Sequence, residues 1–189
     1  MTKTSESGLY IAITVIALVS WIVLHRYEES SVKVVVAENS PDFFSFGYTK
    51  KQLNLEGRPR NELKADAMQH YKADGSSHLE KPFMILYNSS GVSPWVIKSE
   101  IGVMAADGDN LQLLGLTNIS REASANNAAL MVNTADLHVK LDSNYAETSA
   151  RADIISLPNK TTGEGMEITF VSPVHLKLLS KVKGRYELK

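Results

Sequence analysis

The chain has 189 residues, 20 of them Lys or Arg, 21 Asp or Glu, and none of them Cys. A near-neutral balance without a clustered basic excess argues against a nucleic-acid surface. The lack of cysteine excludes disulfides, thiolate zinc sites, cysteine nucleophiles and bacterial lipoprotein acylation, while the length suits one ordinary domain plus an appendage.

Residues 8–24, GLYIAITVIALVSWIVL, are 17 residues without a charge. As a helix rising ~1.5 Å per residue the run reaches ~25 Å, the short end of what spans a ~30 Å hydrocarbon core. Tyr10 and Trp21 stand near its two ends, where aromatic rings favour the interface. No A-x-A-like cleavage site follows; the chain continues His25-Arg26-Tyr27-Glu28-Glu29, which speaks against a removed signal peptide. The reading is a single transmembrane helix over residues 9–25 after a tail of residues 1–8. Lys3 precedes the span and Arg26 and Lys33 follow it, so charge leaves open which side the bulk of the chain faces. Ala12, Val15 and Val19 share one helical stripe, suited equally to packing on other membrane helices and to facing lipid.

Residues 26–37 read as a polar linker and a first strand, because SVKVVVA at 31–37 is rich in β-branched side chains. Asn39-Ser40-Pro41 break it. From residue 38 to 189 the chain alternates with a period of two, the mark of strands with one buried and one wetted face. Phe43, Phe44, Phe46 and Tyr48 make an aromatic cluster, and residues 52–55 a short strand ending at Glu56-Gly57. Residues 77–87 pair back, with Pro82 marking an edge or bulge because proline cannot donate to a ladder. Residues 88–94 and 121–127 are loops. In the central unit, WVIKSEIGVMAADGDNLQLLGLTNI from Trp95, the residues Trp95, Ile97, Ile101, Val103 and Ala105 share one face and Lys98 and Glu100 the other. Asp107-Gly108 suits a two-residue hairpin. Residues 152–157 and 166–171 are later strands with 158–165 as the turn region between them. The last strand, 174–186, alternates Val174, Leu176 and Leu178 against His175 and Lys177.

The central unit repeats. Segments beginning at Leu63, Ile97 and Val132 align, with an acid at Asp66, Glu100 and Asp136 and a turn aspartate at Asp74, Asp107 and Asp142. Helical repeats of similar period need apolar residues at three- and four-residue spacing, and the alternation excludes them. Each unit is a hairpin, and stacked hairpins make a meandering all-β core. Gly57, Gly115 and Gly165 fit turn, bulge or close-packing positions.

Little of this carries chemistry. His25 borders the span, His78 a turn, and His70, His138 and His175 lie on strands; no pair has metal-ligand spacing. No nucleophile elbow or phosphate-binding glycine loop occurs, and sequons at Asn88, Asn118 and Asn159 are short enough to arise by chance. Asp66, Glu100 and Asp136 have small or apolar neighbours on both sides that would point inward, so the acids should point to water. No catalytic residue, metal ligand or cofactor site is assigned.

The apolar inner face remains, either a plain core or the wall of a lipid trough. Numerous mid-sized inward residues beside a membrane tether favour the trough, since acyl tails need only a dry surface. By alternation the candidates for its lining are Tyr48, Leu79, Ile101, Leu114 and Leu176, although the run from Leu111 to Leu116 leaves the register of Leu114 ambiguous.

The order of a single span, the VVV run, LEGRPRNEL, ADAMQHYKADGSSHLEKPFMILY, the central unit and a last strand ending KVKGRYE resembles the LptC family over nearly the whole chain. These are the inner-membrane-anchored periplasmic components of lipopolysaccharide export in Gram-negative bacteria. The resemblance implies an open, twisted β-jellyroll after one transmembrane helix, a cytoplasmic N-terminus, a periplasmic domain over 38–189 and no enzymatic activity. It implies lipopolysaccharide as cargo, received from the LptB, LptF and LptG transporter and passed to LptA. Open jellyrolls expose edge strands, which template the strands of other chains. The transporter edge is therefore expected at Val32, Val34 and Val36 with the transmembrane helix, and the LptA edge at Val174, Leu178, Val182 and Tyr186. A membrane-anchored scaffold that binds proteins by strand addition, without holding lipid, is the competing expectation. Enzymatic turnover dependent on His138 or Asp136 is a distant third.

Overall fold

The computed structural model describes residues 3–28, 40–87, 93–124, 127–171 and 173–187. The chain divides into two units, residues 1–37 and 38–189. The first holds one helix, α1 (Lys3–Glu28), whose described side chains are exposed on every side. Among the described residues no helical stretch is long and apolar enough to cross a membrane. The expected first strand, with Val32, Val34 and Val36, lies outside the described residues.

The second unit is one antiparallel sheet of ten strands: β1 (Phe43–Leu53), β2 (Pro59–Tyr71), β3 (Ser76–Glu80), β4 (Phe83–Leu86), β5 (Trp95–Met104), β6 (Asn110–Arg121), β7 (Leu130–Lys140), β8 (Tyr145–Ser156), β9 (Asn159–Thr169) and β10 (His175–Arg185). The order is β1-β2-β3-β5-β6-β7-β8-β9-β10, with β4 continuing β3 between β2 and β5. Local chemistry sets each boundary. The expected 77–87 strand breaks where Lys81 takes φ 48° and Pro82 offers no donor. The Asp107-Gly108 hairpin is wider than a two-residue loop. Gly108 N–H donates to Ala105 at 3.0 Å, and the Asp107 carboxylate accepts from the amides of Asp109 and Asn110 at 2.9 and 3.0 Å. Residues 159–165, expected as a turn, belong to β9; the turn is confined to Leu157-Pro158. The aromatic cluster and the short 52–55 strand merge into β1.

Every long strand changes face midway. On β5, Trp95, Ile97 and Ser99 point in, Glu100 and Ile101 both point out, and Gly102 and Met104 point in again. On β6, Leu113 is buried, Leu114, Gly115 and Leu116 are exposed, and Thr117 is buried. The pairing register shifts at Ser99/Ile101, Leu113/Leu116, Asn133/His138, Thr148/Arg151 and Ser180/Lys183. These are bulges, which bend a strand and strengthen its twist. Residues with positive φ fall on the same line: Gly115, Asp136, Gly165 and Lys181.

A seam of bulges thus crosses the sheet and folds it so that the two halves of the strands face each other. Residues distant in strand order meet across the fold. Trp95 Nε1–H, on β5, donates to the Phe170 carbonyl after β9 at 3.2 Å, with the rings 5.4 Å apart and edge to face. The Arg60 guanidinium on β2 reaches Leu141 O and Asp142 in the β7–β8 turn. Lys50 Nζ on β1 reaches Gly108 O in the β5–β6 turn at 3.2 Å. Between the halves lies the core of Leu63, Met84, Trp95, Leu111, Leu137, Ile168 and their neighbours.

A bulge frees backbone carbonyls, and buried ones must find partners. Four inward hydroxyls on successive strands, Ser99, Thr117, Thr134 and Thr148, are all buried along the seam. Ser99 Oγ lies 3.0 Å from Leu114 O, Thr117 Oγ1 donates to Gly115 O at 3.3 Å, Thr134 Oγ1 to Arg151 O at 2.9 Å and Thr148 Oγ1 to Ala135 O at 2.7 Å. On the outer face of the seam, Asp136 Oδ1 accepts Gly115 N–H at 2.9 Å. The repeating acids Asp66, Glu100 and Asp136 are exposed, as their neighbours suggested, although Ile101 shares the outside with Glu100.

Candidate lipid trough and strand edges

The interior is closed in the middle and loosens towards the ends of the sheet. Leu111, Ile119, Val132 and Val139 on the central strands are 0% exposed. The apolar side chains that pack on this core yet stay half-exposed are Tyr48 on β1, Leu130 on β7, Ile154 on β8, and Val174, Leu176 and Leu178 at β10. Tyr48 and the three residues at β10 sit at the two edge strands, while Leu130 and Ile154 lie further in, on β7 and β8. Burial pushes the Tyr48 phenol above its ordinary pKa, consistent with a ring at the rim of a dry interior. Leu178 lies over Gly163, where a Cβ would stand 3.1 Å from its side chain.

Among the five expected lining residues, Tyr48, Leu79 and Leu176 point inward. Leu79 is 3% exposed and packed in the core, with Met68 and Gly102 as cross-strand neighbours. Ile101 and Leu114 do not line the interior; they face each other across β5 and β6 on the outer face, 51% and 38% exposed. The bulges at Ser99/Ile101 and Leu113/Leu116 reverse the alternation that placed them inside. Val103 and Ala105 move outward for the same reason.

β1 and β10 each pair on one side only, so each presents a row of unpaired backbone groups, among the described residues, along an 11-residue strand. At β10, Val174 precedes the strand and is half-buried, Leu178 faces inward, Val182 is exposed, and Tyr186 lies past the end with its hydroxyl 3.3 Å from Thr161 Oγ1. Lys177 pairs with Glu167 and Lys181 with Glu164, both on β9. At β1 the outer face carries Phe44 and Phe46, edge to face at 5.9 Å and exposed.

Alternation alone did not mark a pocket of about 490 Å³ at the foot of β6, β7 and β8, lined by Ala123, Ala128, Ala129, Leu130, Met131 and Ile155 among others. The small residues Ala123, Ala128 and Ala129 were the available signal. Arg121 beside it stacks on Trp95 at 4.7 Å. Of the histidines, His70 Nδ1 lies 2.8 Å from Asp42 and holds that carboxyl below its usual range. His138 lies between Asn110 and Glu147. No group of three or more metal-ligating side chains occurs among the described residues.

The sheet as a whole is antiparallel, open at β1 and β10 among the described residues, and folded along a seam of bulges. The pattern of the family described as "Lipopolysaccharide-assembly, LptC-related" matches residues 12–187. The chain belongs to the LptC-related family. That membership gives it a part in lipopolysaccharide transport, in a family of transport components and not of enzymes. The fold is also similar to the crystal structure of LptH, the LptA-homologous periplasmic component of the lipopolysaccharide transport device of Pseudomonas aeruginosa. The TM-score is 0.53 at 8% identity, over 68% of this chain and 95% of that one; at that identity the likeness is one of fold. No curated protein matches the chain.

Proposed function

We propose that this LptC-related chain is a bridge segment that takes lipopolysaccharide from the LptB, LptF and LptG transporter and hands it to LptA. The observation that carries the reading is the unclosed sheet, with half-buried apolar side chains beside each unpaired edge strand. The stacking offset adds to it. Trp95 on β5 meets Phe170 at the end of β9, about four strands further along. Among the described residues, half-layers at both ends of the sheet therefore lack an opposite number. A neighbouring jellyroll joined edge to edge would supply it and continue the greasy interior. LptA would add at β10 and the transporter's β-domains at β1; the 32–36 run, the transporter edge expected from the sequence, lies outside the described residues.

Membrane attachment belongs to the same proposal. Helix α1 contains the uncharged 8–24 sequence, and its described side chains from residue 10 to 24 are exposed all round. A helix apolar on every side is at home in lipid or among other membrane helices. The inner membrane, with residues 38–189 in the periplasm, is the location that fits.

The scaffold reading is favoured by the close-packed middle of the interior, where Leu79 and Leu111 leave no space. Lipid occupancy would require side chains at the mouths to part. Photo-crosslinking residues at Tyr48 and Leu176, with outward Ile101 as the control, separate the two. Capture of lipopolysaccharide from the two inward positions alone is the expected result. Capture of proteins alone from both would overturn the relay in favour of the scaffold.

A further inference from the structure

A second pocket, of about 360 Å³, lies on the outer face, lined by Asp74, Ser76, Val103, Ala105, Ala106, Asn110, Gln112 and His138. The bulges put it there. Val103 and Ala105, inward by simple alternation, are turned out and floor a polar ring contributed by β3, β6, β7 and the β2–β3 turn. Two hydrogen-bonding side chains in that ring lack a well-aligned bond. The Ser76 hydroxyl is on a residue 7% exposed and has no well-aligned hydrogen bond among the described residues; it sits beside the Asp74 carboxylate, which it helps to hold below its usual pKa, and it can take a better-aligned partner. The Gln112 amide, between Val103 and His138 on neighbouring strands, likewise has no such bond there.

The remaining groups are already oriented. Asp74 Oδ1 accepts Ser76 N–H at 2.9 Å, and the backbone amide and hydroxyl of Ser76 together lower the Asp74 pKa, so the carboxylate is held charged and in place as an acceptor. Asn110 is fixed by Asp107 at 2.7 Å and by His138 Nε2 at 3.0 Å. His138 in turn lies 3.5 Å from Glu147. A carboxylate, an amide, a hydroxyl and an imidazole over a small apolar floor match a ligand that donates and accepts at adjacent positions and has a C–H face. Asp74, Asp107 and Glu147 nearby make the place unfavourable for a phosphate or other anion. The volume is at the low end for small-molecule sites.

We propose that this pocket is a subsite for a neutral pyranose sugar, held by Asp74, Ser76 and Gln112 over Val103 and Ala105. On the relay reading above, on which the identity of the sugar rests, the sugar belongs to the saccharide part of the cargo, outside the sheet while acyl chains enter it.

The test is a titration of the isotope-labelled full chain in micelles with lipid-free, dephosphorylated core oligosaccharide from lipopolysaccharide. Backbone amides of residues 74–76, 103–106, 110–112 and 138 should shift together, with saturation in the millimolar range. Gln112→Ala should weaken binding about tenfold, as expected for one lost hydrogen-bonding group at a polar site. Ser76→Ala should also weaken binding by at least about threefold; a loss of thermal stability with binding unchanged would instead mark a purely structural serine and overturn its place in the subsite. No shifts, shifts elsewhere, or undiminished binding in both variants would overturn the subsite. Photo-capture of lipid at Leu176 is read on the same samples. Sugar binding without lipid capture would sink the relay and leave the subsite standing; lipid capture without sugar binding would do the reverse.

Discussion

Thr148 Oγ1 donates to the carbonyl oxygen of Ala135 at 2.7 Å and accepts the amide of Ala150 at 3.0 Å. One buried hydroxyl therefore serves the bulges of two neighbouring strands, β7 and β8. Thr148→Val keeps the shape and removes both bonds. Leaving buried backbone groups unpaired costs about 1–3 kcal/mol, so chemical denaturation should show a loss of that size. Thr148→Ser, which keeps the oxygen, should recover most of it. An unchanged midpoint for Thr148→Val would mean that the seam does not depend on its hydroxyls.

Gly165 tests the seam at the C-terminal edge. Its φ is +72°, and an added Cβ would stand 2.9 Å from Leu179 Cδ1 on β10. A non-glycine residue in this conformation costs about 1–2 kcal/mol, and the contact pushes on the strand proposed to receive LptA. Gly165→Ala should speed hydrogen exchange along β10 and weaken LptA capture while β5 and β6 amides stay protected. Uniform loss of protection would contradict a local effect.

Much of this architecture was legible in residue order, because alternation is a local property and hairpin turns announce themselves in pairs such as Asp107-Gly108. The faces of Ile101 and Leu114 were not. A bulge inserts a residue to satisfy the register of the partner strand, and that information lies across the sheet and not along it. The clues were nevertheless present. Asp66, Glu100 and Asp136 recur at matching places in the repeat, and Glu100 and Asp136 each lie at the bulge on their own strand. Small hydroxyl residues stand at otherwise apolar inward positions, Ser99 after Ile97 and Thr117 before Ile119. The polar groups of the outer pocket had no such signal, since Ser76 and Gln112 adjoin one cavity only once Val103 has been turned outward.

The Asp107 turn has a pH signature. Hydrogen bonds from the Asn110 amide and side chain and from the Asp109 amide lower its pKa from 3.8 to about 2. A carboxyl lowered on folding stabilises the native state above its unfolded pKa, and the contribution fades as pH falls through the folded one. The window is therefore the descent from 3.8 to about 2. Asp107→Asn, which cannot ionise, should flatten the acid limb of a stability-against-pH curve in that window. Identical curves for the two proteins would show that the turn does not contribute.

Strand addition at β10 can be read from neighbouring prolines. Along an edge strand, successive amides alternate between bonding the inner neighbour, here β9, and pointing to the free side. Proline removes the donor in either case. Of Leu176→Pro and Lys177→Pro, the one whose amide bonds β9 should destabilise the domain and lose both transporter and LptA. The other should remove LptA capture while keeping thermal stability and transporter association, because its amide has no partner in the isolated chain. Pull-downs with LptA and with the transporter, run beside melting curves, separate the two classes. If neither substitution affected LptA capture, the junction would lie away from β10, and the bridge would have to be joined through side chains.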